Sequence, residues 1–582
     1  MVMTKKLLFT FMTFFISLAA FAQVTTSNIS GNLKSTDGEE IIGATIQAVH
    51  TPTGSNYGTI TNLDGNFNLQ GLRSGGPYTV TISYVGYQTQ RYENITLALG
   101  ETYSLDVTMK ESSIALGEVM VTASRTDVYN LNRMGAAENF DSKKISQTAS
   151  VERSLYDVAK MNPLAVKTSG GMSIAGSNNK YNSFQIDGTV NNDVFGLSGS
   201  GTNGGQTGAN PISMEAIDEV QVVIAPFDVR QSGFTGGGIN AVTKSGTNKF
   251  HASAYTYYNN EDFYGKTPGK EGEDFTGERE KMGSQSSKTY GATFGGPIIK
   301  NKLFLFANYE RVENTYPSSY NIGSSQSKLD KGEVDQIVDH LSTLTGGYNG
   351  GGYGPQDIDK KSDKLLARLD WNINDHNKLM IRYSYLNAND FKFSSSPYSA
   401  SLNDNGYTMK NKTHNFVAEL NTQLGNHMSN MARIGYTRVR DARDAKGQAL
   451  PFISVSGLTN NTSLNMGMDQ YSAANALNQD VYQIEDNFTW QVGNHNFTVG
   501  THNEFFNMAN LFIAYNYGSY EYDGLNSFLN DENPENYRYQ YSREDIVGTD
   551  RWMPEWGAGQ LAVYGQDEWR VSDALRLTYG FV

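Results

Sequence analysis

The sequence contains no cysteine among its 582 residues. Disulfide bonds, thiolate metal sites and cysteine nucleophiles are therefore excluded together. It also contains no HExxH or HxxE pattern, so the ligand spacing that a zinc hydrolase needs is missing. We expect no enzymatic activity, and hence no catalytic residues, metal site or cofactor.

Basic residues are in the minority, with 46 Lys and Arg against 60 Asp and Glu and a net charge of -14. This balance argues against nucleic acid as a partner, because phosphate backbones are bound by clustered Lys and Arg.

Long apolar runs are confined to the start of the chain. Residues 1–22 combine Lys5 and Lys6 with an apolar run and end in Ala20-Phe21-Ala22, which predicts a secretory signal peptide. No later apolar stretch reaches the roughly 18 residues of a membrane-spanning helix, so any membrane insertion must use strands.

Glycine and aromatic residues are abundant, with 59 Gly, 35 Tyr and 28 Phe at a mean hydropathy of -0.48. Outer-membrane barrels have this composition, because lipid-facing apolar residues alternate with polar residues that face the lumen. The alternation begins at Phe250. In 365–371, for example, Leu365, Ala367, Leu369 and Trp371 share one face, and Arg368 and Asp370 share the other.

The connections between these predicted strands alternate between tight turns and long loops at 259–286, 315–362, 388–411, 441–477 and 509–557. Outer-membrane barrels have short periplasmic turns and long extracellular loops. We predict roughly eleven strands over 249–582, the last at 574–582, and these would form half of a barrel that closes at about twenty-two strands. The pattern therefore predicts that the barrel continues beyond Val582.

Residues 24–110 show short strands at Ile29–Leu33, Thr45–Val49, Gly58–Thr61, Asn66–Leu69, Tyr78–Val85 and Tyr103–Met109. This spacing predicts a small β-sandwich of roughly seven strands. The segments TNLDGNFNLQGL (61–72) and YTVTISYVGYQTQ (78–90) resemble the carboxypeptidase-regulatory-like domain, which has a transthyretin-like fold. Asp64-Gly65 is predicted to form a hairpin turn.

The segment LGEVMVTASR (116–125) resembles the TonB box of outer-membrane receptors. An extended segment of this kind can add as a strand to the sheet of a periplasmic partner. The resemblance implies that the TonB-binding residues are Glu118, Val119, Met120, Val121, Thr122 and Ala123. The alternative is an ordinary first strand of the following domain.

Residues 127–248 contain three segments that resemble, in order, the plug domain of TonB-dependent receptors: SFQIDGTVNND (183–193), SMEAIDEVQVVIAPFDV (213–229) and GGGINAVTKSG (236–246). The form of 226–248 is most similar to the Oar-like branch of that family. A helix is predicted at Val151–Lys160. The GxGxxG match at 199–204 follows no strand and precedes no helix, so it is interpreted as a loop and not as a dinucleotide site.

Two features stand out within the long loops. A helix is predicted over Lys328–Leu344, with Gly346 as its stop, and is interpreted as a structural lid on the barrel mouth. Tyrosines cluster at 515–541, where they could contact a ligand or form part of the aromatic girdle of a barrel.

The predicted fold is thus mainly β: a transthyretin-like or Ig-like sandwich, an α+β plug and the first half of a transmembrane antiparallel barrel. The resemblance implies a cell outer membrane location, with the first domain and plug on the periplasmic side. It also implies TonB-dependent uptake of a substrate too large for porins, such as an oligosaccharide, peptide or siderophore. The implied partners are TonB with its inner-membrane energising complex, outer-membrane lipid, the extracellular substrate and a surface lipoprotein. The Oar-like features leave open a surface, adhesion or protein-export role, whereas a passive porin is disfavoured by the plug.

Overall fold

A computed structural model describes residues 24–112, 119–122, 135–148, 150, 153–168, 171–231, 233–266, 281–572 and 575–582. The predicted signal peptide lies outside these residues. Among the described residues, no helix is long and apolar enough to cross a membrane.

The first domain, here called the regulatory-like domain, is a two-sheet sandwich. Its strands are β1 (Thr26–Ser35), β2 (Thr45–His50), β3 (Ser55–Ile60), β4 (Asn66–Arg73), β5 (Gly75–Ser83), β6 (Gln90–Leu97), β7 (Thr102–Ser104) and β8 (Val107–Met109). One sheet has the order β4-β1-β7, with β8 also paired to β1, and the other begins β3-β2-β5-β6. Alternate residues of the two sheets meet in a buried core that includes Ile29, Leu33, Ile46, Phe67 and Val80.

Two details of this domain differ from prediction. The sequence pattern missed β6, most of whose residues are polar or aromatic and only partly buried. Asp64-Gly65 forms a tight turn, with Gly65 at φ +67°, but the turn does not close a hairpin. The strand before it, β3, pairs with β2, and the strand after it, β4, pairs with β1, so the turn carries the chain from one sheet to the other.

The next segment is a short strand. It is followed by a small α+β unit in the region predicted to be a plug domain, and we call this unit the plug. The elements are β9 (Val119–Thr122), β10 (Gly135–Asp141), α1 (Ser142–Gln147), α2 (Leu155–Ala159), β11 (Ala165–Thr168), β12 (Gly171–Ile174), β13 (Ser183–Ile186), β14 (Thr189–Val190), β15 (Ile217–Pro226) and β16 (Gly238–Thr243). The main plug sheet has the order β10-β15-β16-β13-β14. Among the described residues of the predicted helix 151–160, the helical segment is α2, which begins after an N-cap at Ser154. The run 199–204 is a loop that leads into a single 3-10 turn at Gly205–Thr207.

The remaining elements are β17 (His251–Asn260), β18 (Ser286–Ile299), β19 (Leu303–Pro317), α3 (Lys331–Thr345), β20 (Asp357–Asn372), β21 (Asn377–Lys392), β22 (Ser399–Ser401), β23 (Tyr407–Gln423), β24 (Met428–Ala445), β25 (Phe452–Leu458), β26 (Thr462–Met466), β27 (Asn475–Val492), β28 (His495–Phe512), β29 (Ser519–Asp523), α4 (Leu525–Leu529), β30 (Asn536–Arg538), α5 (Glu544–Val547), β31 (Glu555–Ser572) and β32 (Leu575–Phe581).

Eleven of these strands form one antiparallel sheet, the barrel sheet, in the order β17-β18-β19-β20-β21-β23-β24-β27-β28-β31-β32. The predicted face alternation holds: Leu365 and Trp371 are both 41% exposed, whereas Arg368 and Asp370 are buried. The inner face carries the plug, since Phe306 and Leu366 of the sheet belong to the same buried cluster as the plug core. Tight turns lie at one end of the sheet and long connections at the other.

The long connections are more ordered than the sequence pattern predicts. The barrel strands extend several residues into the predicted loops, and β22-β26-β25-β29-β30 form a separate five-stranded sheet. This sheet packs with α3 and α4 around a buried core that includes Ile337, Leu341, Val455, Leu464 and Phe528. We call this unit the loop layer. The predicted helix is confirmed as α3, with Asp330 as N-cap and Gly346 in the left-handed conformation after it.

Candidate functional site

Asp187, in the tight turn between β13 and β14, holds the plug to the barrel wall. Its Oδ2 lies 2.8 Å from Nε of Arg382, and its Oδ1 lies 3.3 Å from Nη1 of Arg368. Arg382 also donates a hydrogen bond of 3.0 Å to the carbonyl oxygen of Ile186. All three charged groups are buried. Because a buried charge that loses its partner is strongly destabilising, removal of any one of these three groups should weaken the attachment of the plug to the sheet.

The same group of charges reaches the regulatory-like domain. Arg368 Nη2 lies 2.9 Å from Asp370 Oδ1, and the same carboxylate accepts a hydrogen bond from Arg73 at the end of β4. Arg73 also donates a hydrogen bond of 2.6 Å to Ser245, just after the plug. Plug, barrel and regulatory-like domain are therefore joined by one row of alternating charges: Asp187, Arg368, Asp370 and Arg73.

A second buried group surrounds Arg433 on β24. Its guanidinium lies 2.7 Å from Glu419 and 2.5 Å from Glu485, which stand on the two neighbouring strands. It also donates to the carbonyl oxygen of Gly188 in the plug, at 3.3 Å, and to the hydroxyl of Thr25, at 2.9 Å. This arginine again contacts all three parts of the chain.

Glu219 on β15 is buried where the plug meets the regulatory-like domain. Burial raises the pKa of its carboxyl group to about 7, and the nearby Asp218 and Glu101 add to the rise. Hydrogen bonds from the Leu99 main chain and from Asn139 oppose it. A carboxyl group in this state changes charge near neutral pH.

The predicted TonB-binding residues fall partly within the described chain. Val119, Met120, Val121 and Thr122 form β9, which pairs in parallel with β6 and so adds a fifth strand to the regulatory-like domain's sheet. Glu118 and Ala123 lie outside the described residues. The segment is thus extended, as predicted. In the structure, this segment pairs with the preceding domain. The alternative interpretation of the sequence made it the first strand of the following domain.

A cavity of about 810 Å³ lies at the long-loop end, between plug loops and the barrel sheet. Its lining includes Arg153, Tyr257, Tyr264, Asn314 and Ser362. The guanidinium carbon of Arg153 stands 3.9 Å from the ring centre of Tyr257, and Lys364 Nζ lies 2.9 Å from Glu310 Oε1. These charges are paired or stacked within the protein. Apart from Lys360 and Asp390, the rest of the lining is mainly aromatic, amide and hydroxyl surface.

Comparison with known proteins connects these features to a family. Residues 242–351 and 342–581 match the family model described as outer membrane beta barrel domain. The chain belongs to this outer membrane β-barrel family. Residues 28–110 of this family member also match the carboxypeptidase regulatory-like domain. The β-barrel assignment and the relatives described below place the protein in the outer membrane.

Two curated relatives of this outer membrane β-barrel protein are TonB-dependent. The chain is 27% identical over 372 residues to the TonB-dependent transporter Oar of Myxococcus xanthus, a match that covers 62% of this chain and 33% of the relative. It is 35% identical over 119 residues to the TonB-dependent receptor SusC of Bacteroides thetaiotaomicron, covering 20% of this chain and 10% of the relative. The matches therefore take in a third or less of each relative's length. They confirm the resemblance to TonB-dependent receptors and to Oar.

A solved structure shows the same fold. The outer membrane transporter YddB of Escherichia coli superposes with a TM-score of 0.52 at 15% identity, over 76% of this chain and 55% of that chain.

Several functional contacts were not predictable from the sequence pattern. Arg368 and Asp370 were placed correctly on the inner face, but nothing local indicated that Asp187 or Arg73 would reach them. The cavity also escaped prediction, because its lining comes from residues 150 to 390 of the chain. An acidic residue in a predicted plug turn, together with arginines on the predicted inner face of the barrel sheet, is the signal that could have suggested the first contact.

Proposed function

We propose that this protein is a TonB-dependent outer-membrane receptor for energised uptake of a substrate too large for porins. The observation that carries the proposal is a folded plug attached by buried ion pairs to the inner face of the barrel sheet. A plug held in this way closes the lumen, and the outer membrane has no nucleotide energy source. Energy must therefore arrive mechanically from TonB and its inner-membrane complex, through the segment that includes β9.

We further propose that the complete barrel closes at about twenty-two strands, with the eleven described strands as one contiguous half. The support is the sheet order. Apart from the strands of the loop layer, each strand pairs with the strand that follows it in the chain, and no plug strand lies between them.

The substrate is proposed to bind at the long-loop end, in the cavity that Arg153 and Tyr257 line. Among the charged lining residues, Lys364 is paired with Glu310, Arg153 with Glu215 and Asp390 with Lys392. This pairing favours an uncharged polar substrate such as an oligosaccharide over an anionic iron chelate or a charged peptide. Binding needs no enzymatic step.

Deletion of residues 116–125 tests the energised mechanism. Growth of the deletion strain is compared with that of a full-gene knockout on a panel of oligosaccharides, peptides and iron chelates. We expect both strains to lose growth on the same nutrient. A strain in which residues 116–125 have been restored to the deletion mutant should grow normally. Uptake that survives the deletion at the wild-type rate would overturn the proposal.

A second candidate function is an Oar-like role at the cell surface, in adhesion or protein export. The observation that favours it is the loop layer, which presents exposed tyrosines such as Tyr537, Tyr539 and Tyr541 on a structured support. Loss of secreted proteins in the knockout, with growth unchanged on every nutrient, would support this role in place of import.

A further inference from the structure

One face of β3 lies along the short-turn end of the barrel sheet. Its alternate residues Ser55, Tyr57 and Thr59 are buried. Each contacts a different residue at the ends of the barrel strands: Ser55 Oγ donates to Asn372 Oδ1 at 3.0 Å, the Tyr57 ring lies 4.1 Å from Lys378 Nζ, and Thr59 Oγ1 donates to the Asn426 carbonyl oxygen at 2.5 Å.

The following turn and β4 continue along the same end. The contacts are from Asn62 Nδ2 to the Gly493 carbonyl oxygen at 2.9 Å, from Asn66 Nδ2 to Asn494 Oδ1 at 2.6 Å, and from Gln70 Nε2 to Asn496 Oδ1 at 2.8 Å. Residues 55–70 thus meet three turns of the barrel sheet, those that follow β20, β23 and β27. A domain attached only by a linker would not make polar contacts with three separate turns.

The regulatory-like domain also holds the plug, through Leu99. The Leu99 N–H donates to Glu219 Oε1 at 3.0 Å, and its carbonyl oxygen accepts from Asn139 Nδ2 at 2.9 Å and from Gln221 Nε2 at 2.7 Å. Leu99 is completely buried. Plug side chains therefore satisfy both main-chain groups of this residue, as a neighbouring strand would in a sheet.

The segment proposed to receive TonB belongs to the same domain in the structure. Because β9 pairs with β6, a pull on β9 acts directly on the sheet of the regulatory-like domain. The domain is also bonded to the barrel through Arg73 and Asp370, next to the ion pair that holds the plug.

We propose that the regulatory-like domain is an autoinhibitory cap: it closes the periplasmic end of the barrel, holds the plug through Leu99, and must leave the barrel turns before the plug can move. This inference rests on the proposed TonB-dependent function and adds an ordered release, in which the cap leaves first. Without release, the contacts of β3 and β4 with the barrel obstruct the exit from the lumen.

Engineered disulfides test this order, since the chain has no cysteine of its own. The first variant is Ser55→Cys with Asn372→Cys, and the second is Asn66→Cys with Asn494→Cys; both cross-link the cap to the barrel. The matched control is Val49→Cys with Asn56→Cys, which are paired residues of β2 and β3 and cross-link the cap only to itself. Uptake of the nutrient found in the growth panel is measured in cells with and without a membrane-permeant reductant.

We expect uptake by both cap–barrel variants to fall at least about tenfold when oxidised and to recover on reduction, with the control active in both states. Oxidised cap–barrel variants that import at the rate of their reduced forms would overturn the cap proposal, even where deletion of 116–125 abolishes uptake. If that deletion has no effect, the TonB-dependent function itself fails. The two failures are therefore distinguishable.

Discussion

The main-chain N–H of Leu99 donates a 3.0 Å hydrogen bond to the carboxyl group of Glu219, joining the regulatory-like domain to the plug across 120 positions of sequence. The contact is buried, and burial raises the pKa of Glu219 to about 7. Because the charged carboxylate is costly to bury, the stability of this buried interface should decrease as Glu219 ionises, although the hydrogen bond from Leu99 by itself favours the charged form.

For a carboxyl group with a raised pKa, the stabilisation is fully present below its unfolded value of 4.5 and is lost as pH rises through about 7. One unit of pKa shift corresponds to about 1.4 kcal/mol, so a few kcal/mol are involved. We expect hydrogen exchange of the segment around Leu99 to lose protection between pH 5 and pH 8. Glu219→Gln keeps an acceptor oxygen but does not titrate, and its protection relative to neighbouring segments should stay constant. A parallel pH response in wild type and variant would contradict this assignment.

Loss of the Asp187 charge should loosen the plug. Asp187→Asn leaves Arg368 and Arg382 buried without that anion, which we expect to cost about 3–5 kcal/mol of plug stability. The measurement is the sensitivity of cells to a large antibiotic that cannot pass an intact outer membrane. The control Glu215→Gln removes the partner of Arg153 at a part-exposed site and should cost at most about 1 kcal/mol. Equal antibiotic resistance in the two variants would show that Asp187 does not hold the plug in the barrel.

Removal of the Arg73 charge should detach the cap from the barrel. A hydrogen bond between charged groups contributes about 1.5–3 kcal/mol, or roughly ten- to hundredfold in an equilibrium. In Arg73→Gln, we expect a cysteine introduced as Thr59→Cys to react with a membrane-impermeant maleimide faster by that factor, once the outer membrane is opened osmotically. Thr59 is 3% exposed.

Leu63→Cys provides the matched control for that experiment, because Leu63 is 79% exposed in the turn between β3 and β4. Its reaction rate should be the same in both backgrounds. If Arg73→Gln leaves the Thr59→Cys rate unchanged, the contact of Arg73 with Asp370 does not hold the cap.

Main-chain pairing through Val121 should be needed for TonB binding. Val121→Pro removes an N–H group, so neither β6 nor an added strand can pair there. We expect the variant to lose at least about tenfold in affinity for the periplasmic domain of TonB in a pull-down titration. Val121→Thr retains both the N–H and a β-branched side chain and should bind normally. Wild-type affinity in the proline variant would place the binding segment elsewhere.

The loop layer should unfold separately from the barrel. Phe528→Ala removes a side chain from its core, where it packs edge-on against Tyr522, at a cost of about 3–5 kcal/mol. We expect an external protease to cleave residues 513–554 faster in intact cells, with the barrel's own melting temperature unchanged. Tyr541→Ala, at a 61% exposed position, should show wild-type cleavage. A lowered barrel melting temperature in Phe528→Ala would show that the two units unfold together.

Several elements were predictable because their signals are local. The alternation from Leu365 to Trp371 fixed which side of the barrel sheet each residue faces, since side chains in a strand alternate between two environments. The helical spacing of Val334, Ile337 and Leu341, together with the stop at Gly346, similarly marked α3 within a few residues. The alternation of tight turns with long connections predicted roughly eleven strands, and the barrel sheet has eleven.

The tertiary structure alone decided which distant segments meet. No local pattern indicates that Asp187 reaches Arg382, 195 positions later, or that Leu99 is held by Glu219. The short strands of the loop layer escaped prediction because their partners come from other loops, as in the parallel pairing of β25 with β29. The residue pattern within a strand reflects the environment on each of its two faces, so it can be interpreted locally. Contacts between distant segments depend on how the folded sheet positions its turns and inner face against the plug and the cap.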